Sequence, residues 1–134
     1  MRKGIIAISL LVLFLVNCQL YSGFSDAPIN QWYFNNGDGF YRYHDAQRFY
    51  NGSSSSYNLS VRLKDKMKNV KIWIYRGDTM NMLNYFSVSN VNQINMTITD
   101  LPMEYELVAR IQVLETRNFE HTGVGTWSFK NSLF

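Results

Sequence analysis

Apolar and polar side chains alternate with a period of two through most of this chain from Trp32 onward. Tyr57, Leu59, Val61 and Leu63 interleave with Asn58, Ser60 and Arg62, and Val70, Ile72 and Ile74 with Lys71, Trp73 and Tyr75. Ile94, Met96 and Ile98 repeat the pattern, as do Tyr105, Leu107, Ala109, Ile111 and Val113. A period of two puts one set of side chains on each face of an extended strand, whereas an amphipathic helix needs 3.6. Shorter strands are expected at Leu83–Val88 and around Trp127 and Phe129, after Gly123 and Gly125. Trp32–Phe34 and Phe40–Tyr43 flank Asn35-Asn36-Gly37-Asp38-Gly39, residues that tolerate positive φ, which predicts a hairpin. Asp45–Gly52 fits either one helical turn capped by Asp45 or a strand running into a turn.

Seven or eight strands with no long helix predict an all-β fold, an antiparallel β-sandwich. Val61, Ile72, Ile74, Met96, Ile98, Leu107, Ala109 and Ile111 are its expected interior. Residues 94–109 read Ile-Asn-Met-Thr-Ile-Thr-Asp-Leu-Pro-Met-Glu-Tyr-Glu-Leu-Val-Ala. This resembles immunoglobulin-like and transthyretin-like sandwiches, where a strand runs into a Leu-Pro turn and a Tyr starts the return strand. The resemblance implies a fold and no particular activity.

The N-terminus is different in kind. Met1-Arg2-Lys3 is positive, and Gly4–Val16 is uncharged and dominated by Ile, Leu, Val and Phe. At 1.5 Å per residue that run makes a helix of about 20 Å, short of a hydrocarbon core of roughly 30 Å. A positive start and a short apolar stretch predict a cleaved secretory signal. It ends in Leu15-Val16-Asn17-Cys18, which resembles the lipobox of bacterial lipoproteins, with Asn17 in the manner of the looser spirochaete boxes. The resemblance implies a diacylated Cys18 as the first mature residue. The expected organisation is a signal peptide at residues 1–17, a lipid-anchored tether at 18–30 and a β-sandwich domain at 31–134. Cys18 is the only cysteine, so the domain stands on its core without a disulfide. Simple secretion of a soluble protein is the alternative.

Without residues 1–17 the formal charge falls from +3 to +1, because Arg2 and Lys3 leave. A nearly neutral domain argues against nucleic-acid binding, which needs a clustered basic face. His44 and His121 are the only histidines, with no H-x-H or H-E-x-x-H spacing, and no G-x-S-x-G elbow occurs. Asn36–Gly39 lacks the downstream acids of a calcium loop. Lys64, Lys66, Lys68 and Lys71 read as a solvated loop or a guarded edge strand. No catalytic set, metal site or cofactor is expected, and a small hydrolase or lyase built on His44 or His121 is a third reading.

One group of side chains points outward. If Ile72 and Ile74 face the core, then Trp73, Tyr75 and Lys71 face the other way, and Arg110 is outward on the longest strand. Rings with polar edges suit a sugar- or peptide-binding surface unless another element covers them. The sequence is therefore read as a non-catalytic, membrane-anchored lipoprotein of the cell envelope, at the outer membrane or the periplasmic face of the inner membrane. It would serve an interaction role with a protein or glycan ligand. The rival is a secreted binding module or inhibitor using the same aromatics.

Overall fold

The computed structural model describes residues 23–52 and 54–131, so Cys18 and the expected signal peptide lie outside the described residues. Seven strands follow in order: β1 (Gly23–Pro28), β2 (Gln31–Asn35), β3 (Phe40–Asn51), β4 (Tyr57–Arg76), β5 (Met82–Ile98), β6 (Tyr105–Glu115) and β7 (Gly125–Asn131). A 3-10 turn at Glu120–Thr122 precedes β7. All pairings are antiparallel, and the chain is all-β as the alternation requires.

Two pairs of expected strands are single long ones. Tyr57–Leu63 and Val70–Tyr75 belong to β4, and Leu83–Val88 and Ile94–Ile98 to β5. The two run together from Tyr57↔Ile98 to Tyr75↔Met82, with the register broken between Arg62 and Met67. On its other side β4 pairs with β7 over Tyr57–Leu63, then leaves it and pairs with β6 over Asn69–Arg76. The ribbon thus turns a corner and serves two layers, β1-β7-β4-β5 and β2-β3-β6-β4-β5. Strands that change sheets through a bend are a common way to build such corners. Lys64, Lys66 and Lys68 stand at this corner, not on a loop or an edge strand.

Two further points differ from the expectation. Asp45–Asn51 continues β3, so the strand alternative holds there. Gly23–Pro28, within the stretch expected as tether, is β1 and pairs with β7, so the sheet starts before residue 31. Between β5 and β6 the chain turns after Leu101-Pro102: Leu101 is buried, its N–H donates to Ser55 O at 3.1 Å, and Tyr105 opens β6.

Between the layers lie Phe24, Phe49, Tyr57, Trp127 and Phe129, with Tyr57 and Phe129 stacked 4.8 Å apart and Phe24 edge-on to Trp127 at 4.7 Å. Val61, Ile72, Ile74, Ile98, Leu107, Ala109 and Ile111 are buried as expected. Met96 is not; it is 39 % exposed on the edge strand β5, although Ile94 and Ile98 on the same strand are buried. Buried polar groups are tied down. The Tyr43 hydroxyl accepts from the Phe119 N–H at 2.6 Å and donates to Arg117 O at 3.1 Å. Glu115 accepts from the Lys68 and Thr116 N–H groups and from the Arg117 guanidinium. Burial pushes its carboxyl up, but the Arg117 and Thr116 bonds together outweigh burial and hold it below the ordinary glutamate range. Glu115 thereby fastens the corner of β4 to the end of β6.

Candidate ligand-binding face

Because Val70, Ile72 and Ile74 are fully buried, Lys71, Trp73 and Tyr75 must point away from the core. Register decides what stands beside them. From β6 come Gln112 next to Lys71, Arg110 next to Trp73 and Val108 next to Tyr75. From β5 come Ser87 next to Lys71 and Tyr85 next to Trp73. Beyond β6, β3 places His44 opposite Gln112 and Arg42 opposite Leu114, and β2 places Tyr33 opposite Arg42. The four residues singled out in the sequence are therefore together on one face, with Arg110 directly beside Trp73.

The centre of the face is a row across three strands. The Arg110 guanidinium lies 5.5 Å from the Trp73 ring, and the Trp73 and Tyr85 rings are 5.5 Å apart, tilted by 36°. Trp73 is half-buried by these flanks, whereas Tyr85 is 43 % and Tyr33 50 % exposed. The face is open at Arg110, Tyr85 and Tyr33, which are exposed, and closed at Val108, which is buried beside Tyr75. Next to the row, Tyr33, Arg42, Asn69, Lys71, Gln112 and Leu114 line a depression of about 350 Å³. Its lining holds cations, amides and a phenol but no carboxylate.

Several of these groups are pre-positioned. Asn69 donates its amide hydrogens to Ser87 Oγ at 2.8 Å and Ser89 Oγ at 3.2 Å. Arg42 is gripped by Asp38 at the hairpin loop, with its guanidinium 5.9 Å from the Tyr33 ring. The Arg42 bond, then the Phe40 N–H, holds the Asp38 carboxyl below its usual range. The Asn36–Gly39 loop is thus a hairpin turn whose acid is already engaged. Lys71 and Arg110 form no ion pair with another described residue. His44 is exposed near this face, 6.0 Å from the Tyr33 ring, and His121 is exposed in the 3-10 turn. Among the described residues no three His, Cys, Asp or Glu side chains gather as a metal site.

Tyr33, Arg42, Asn69, Tyr85 and Gln112 are not singled out by the sequence pattern. Gln112 could have been found, since alternation along β6 puts it on the face of Arg110. The others needed strand order and register.

No family model matches this chain, and no curated protein matches it. Solved structures resemble it remotely. TmCBM61, in complex with β-1,4-galactotriose, is 13 % identical with a TM-score of 0.42, over 75 % of this chain and 63 % of that one. The carbohydrate-binding module CBM6cm-2 of Cellvibrio mixtus lichenase 5A, in complex with cellotriose, is 13 % identical with a TM-score of 0.40, over 82 % and 75 %. The enzymatically active domain of tailspike protein 4 from bacteriophage CBA120 is 11 % identical with a TM-score of 0.41, over 68 % and 13 %. The chain thus spans less than two thirds of the first and the last of these. Likenesses this distant carry no argument about its ligand.

Proposed function

We propose that this protein is a non-catalytic binding module of the cell envelope, and that a glycan lies on the face centred on Trp73. The observation that carries this reading is the Arg110–Trp73–Tyr85 row, in which the two flanking side chains are exposed. A half-open Trp beside exposed Tyr rings is apolar surface that a monomer has reason to cover. The apolar face of a sugar ring fits such rings, which combine flat area with polar edges. Its hydroxyls would then meet donors and acceptors of the kind that Lys71, Gln112, Asn69 and Arg42 present. A peptide strand would meet the same rings, and it is the second reading.

The test is Trp73→Ala against the wild type, with affinity for a panel of oligosaccharides and unfolding free energy measured separately. Binding is expected to fall at least about tenfold, or roughly 1.4 kcal/mol. Stability should fall by about 1 kcal/mol, the scale of one aromatic pair and one exposed cation–π contact. A loss of several kcal/mol in stability would mean that Trp73 is core. A wild type that binds peptides but no oligosaccharide would replace the glycan with a protein ligand.

The same proposal holds the domain at a membrane through diacylglycerol on Cys18. A single acyl chain gives only marginal attachment, and two give a stable anchor. Labelling cells with a fatty-acid analogue is expected to mark the wild type and not Cys18→Ala. Equal labelling, or a mature start beyond residue 18, would leave a soluble secreted module.

A further inference from the structure

β5 is the longest edge of the sheet and the least defended. Along one side it pairs with β4, and among the described residues nothing pairs with the other. From Met82 to Ile98 it contains no Asp, Glu, Lys, Arg, Pro or Gly. An edge strand presents unpaired N–H and C=O groups that template another strand, and proteins blunt such edges by shortness, charge, proline or bulges. The strands at the two ends of the strand order, β1 and β2, obey this rule. β2 has 5 residues. β1 has 6, carries Asp26 and Pro28, and loses register between Phe24 and Ala27, with Asp26 at φ 49. In β5 the register breaks beside Leu83 and between Val91 and Gln93, and Asn90 has φ 56, which leaves Asn84–Ser89 regular.

We propose that Asn84–Val88 pairs with the same stretch of a second copy of this chain, antiparallel about a two-fold axis at Phe86. The edge asks for a strand, since only a strand satisfies a row of alternating donors and acceptors. A second copy fits it for two reasons. With no charge in the stretch, the isologous contact sets no like charges opposite one another. The order of sizes is also self-complementary on the outer face: the exposed Tyr85 falls opposite the small Ser87 of the partner, twice over. Phe86, partly buried on the inner face, falls opposite its own copy. Pairing does not depend on the glycan reading. It joins the five-stranded layers of two copies into one surface, with both Trp73–Tyr85 rows on the same side.

The experiment uses the full chain carrying Cys18→Ser, so that any thiol is an introduced one. Sedimentation at about 100 μM, well above a dissociation constant of 10 μM or tighter, is expected to give a dimer. In that background Ser87→Cys should be bridged by a short bis-maleimide, because diagonal neighbours across an antiparallel pair lie about 7–8 Å apart. Thr97→Cys, on the far side of the corner, should not be. Ser87→Lys combined with Ser89→Lys should weaken the dimer at least tenfold while the circular-dichroism spectrum stays that of the folded sheet. The double variant also removes the two Asn69 bonds and the dimer's own stabilisation, so a modest fall in melting temperature is expected with it. A wild-type monomer at that concentration overturns the proposal, as does a dimer that Thr97→Cys bridges and Ser87→Cys does not. Should the lysine variant fail to fold, the two cysteine variants still decide.

Discussion

Trp127→Ala is expected to lower the unfolding free energy by about 3–5 kcal/mol, the usual range for removing a buried large aromatic. Trp127 is 1 % exposed and sits between the layers, edge-on to Phe24. Its register neighbours are Val61 on β4 and Ala27 on β1, so no flexible segment is at hand to collapse into the space. Polar loss adds to the cavity. The Trp127 Nε1–H donates to Asp45 Oδ2 at 2.7 Å, and that part-buried carboxylate would keep only the Gln47 amide, at 3.0 Å. Trp127→Phe separates the two effects, since it keeps much of the ring and removes the donor, and should cost about 1–3 kcal/mol. Against total stabilities of about 5–15 kcal/mol for single domains, that loss is a large share of what holds the fold. Urea titration followed by Trp fluorescence and circular dichroism measures this. A loss under about 1 kcal/mol for Trp127→Ala would place the ring at the surface and break the sandwich as described.

Gly125→Ala should be nearly as damaging, for a reason that lies in the backbone. Gly125 has φ +154, and a Cβ there would stand 2.0 Å from the Arg62 carbonyl oxygen and 2.9 Å from Leu63 Cα. Those are main-chain atoms of β4 at the point where it parts from β7, and they cannot swing aside as a side chain would. Relief requires breaking the Leu63↔Gly125 pairing, and the Gly125 carbonyl also accepts the Ile29 N–H at 2.9 Å. Steric overlap with the disfavoured φ should cost on the order of 3 kcal/mol. Gly39→Ala is the control. Gly39 also has positive φ, +76, but nothing lies within 4 Å of the point a methyl group would occupy, so only about 1–2 kcal/mol of left-handed strain is expected. Equal losses in the two variants would mean that the close approach at the corner is not there.

Half of the candidate face is legible in the sequence. Placing Trp73, Tyr75 and Lys71 opposite Ile72 and Ile74 follows from one strand alone. Arg110 is outward for the same reason, but its contact with Trp73 spans two strands far apart in the chain. Tyr85 and Tyr33 lie on edge strands whose neighbours no local pattern names. The corner is hidden because Lys64–Lys68 breaks the alternation without turn residues, so a bent strand reads like a loop between two strands. β1 is hidden as well, since Asp26 and Pro28 give a short guarded edge the composition of a tether.

Alternation along the chain was enough to set the class of fold and which side chains oppose which. A period of two assigns faces whatever the partner strand is, and the absence of a helical period leaves no other element to build with. Only the tertiary structure decided that β4 and β5 serve both layers, that β6 lies between β3 and β4, and that Trp73 meets Arg110 on one side and Tyr85 on the other. Those choices depend on the registers and crossings that bury Trp127, Tyr57 and Phe129 together, contacts between residues distant in the chain, which no window of neighbouring residues records.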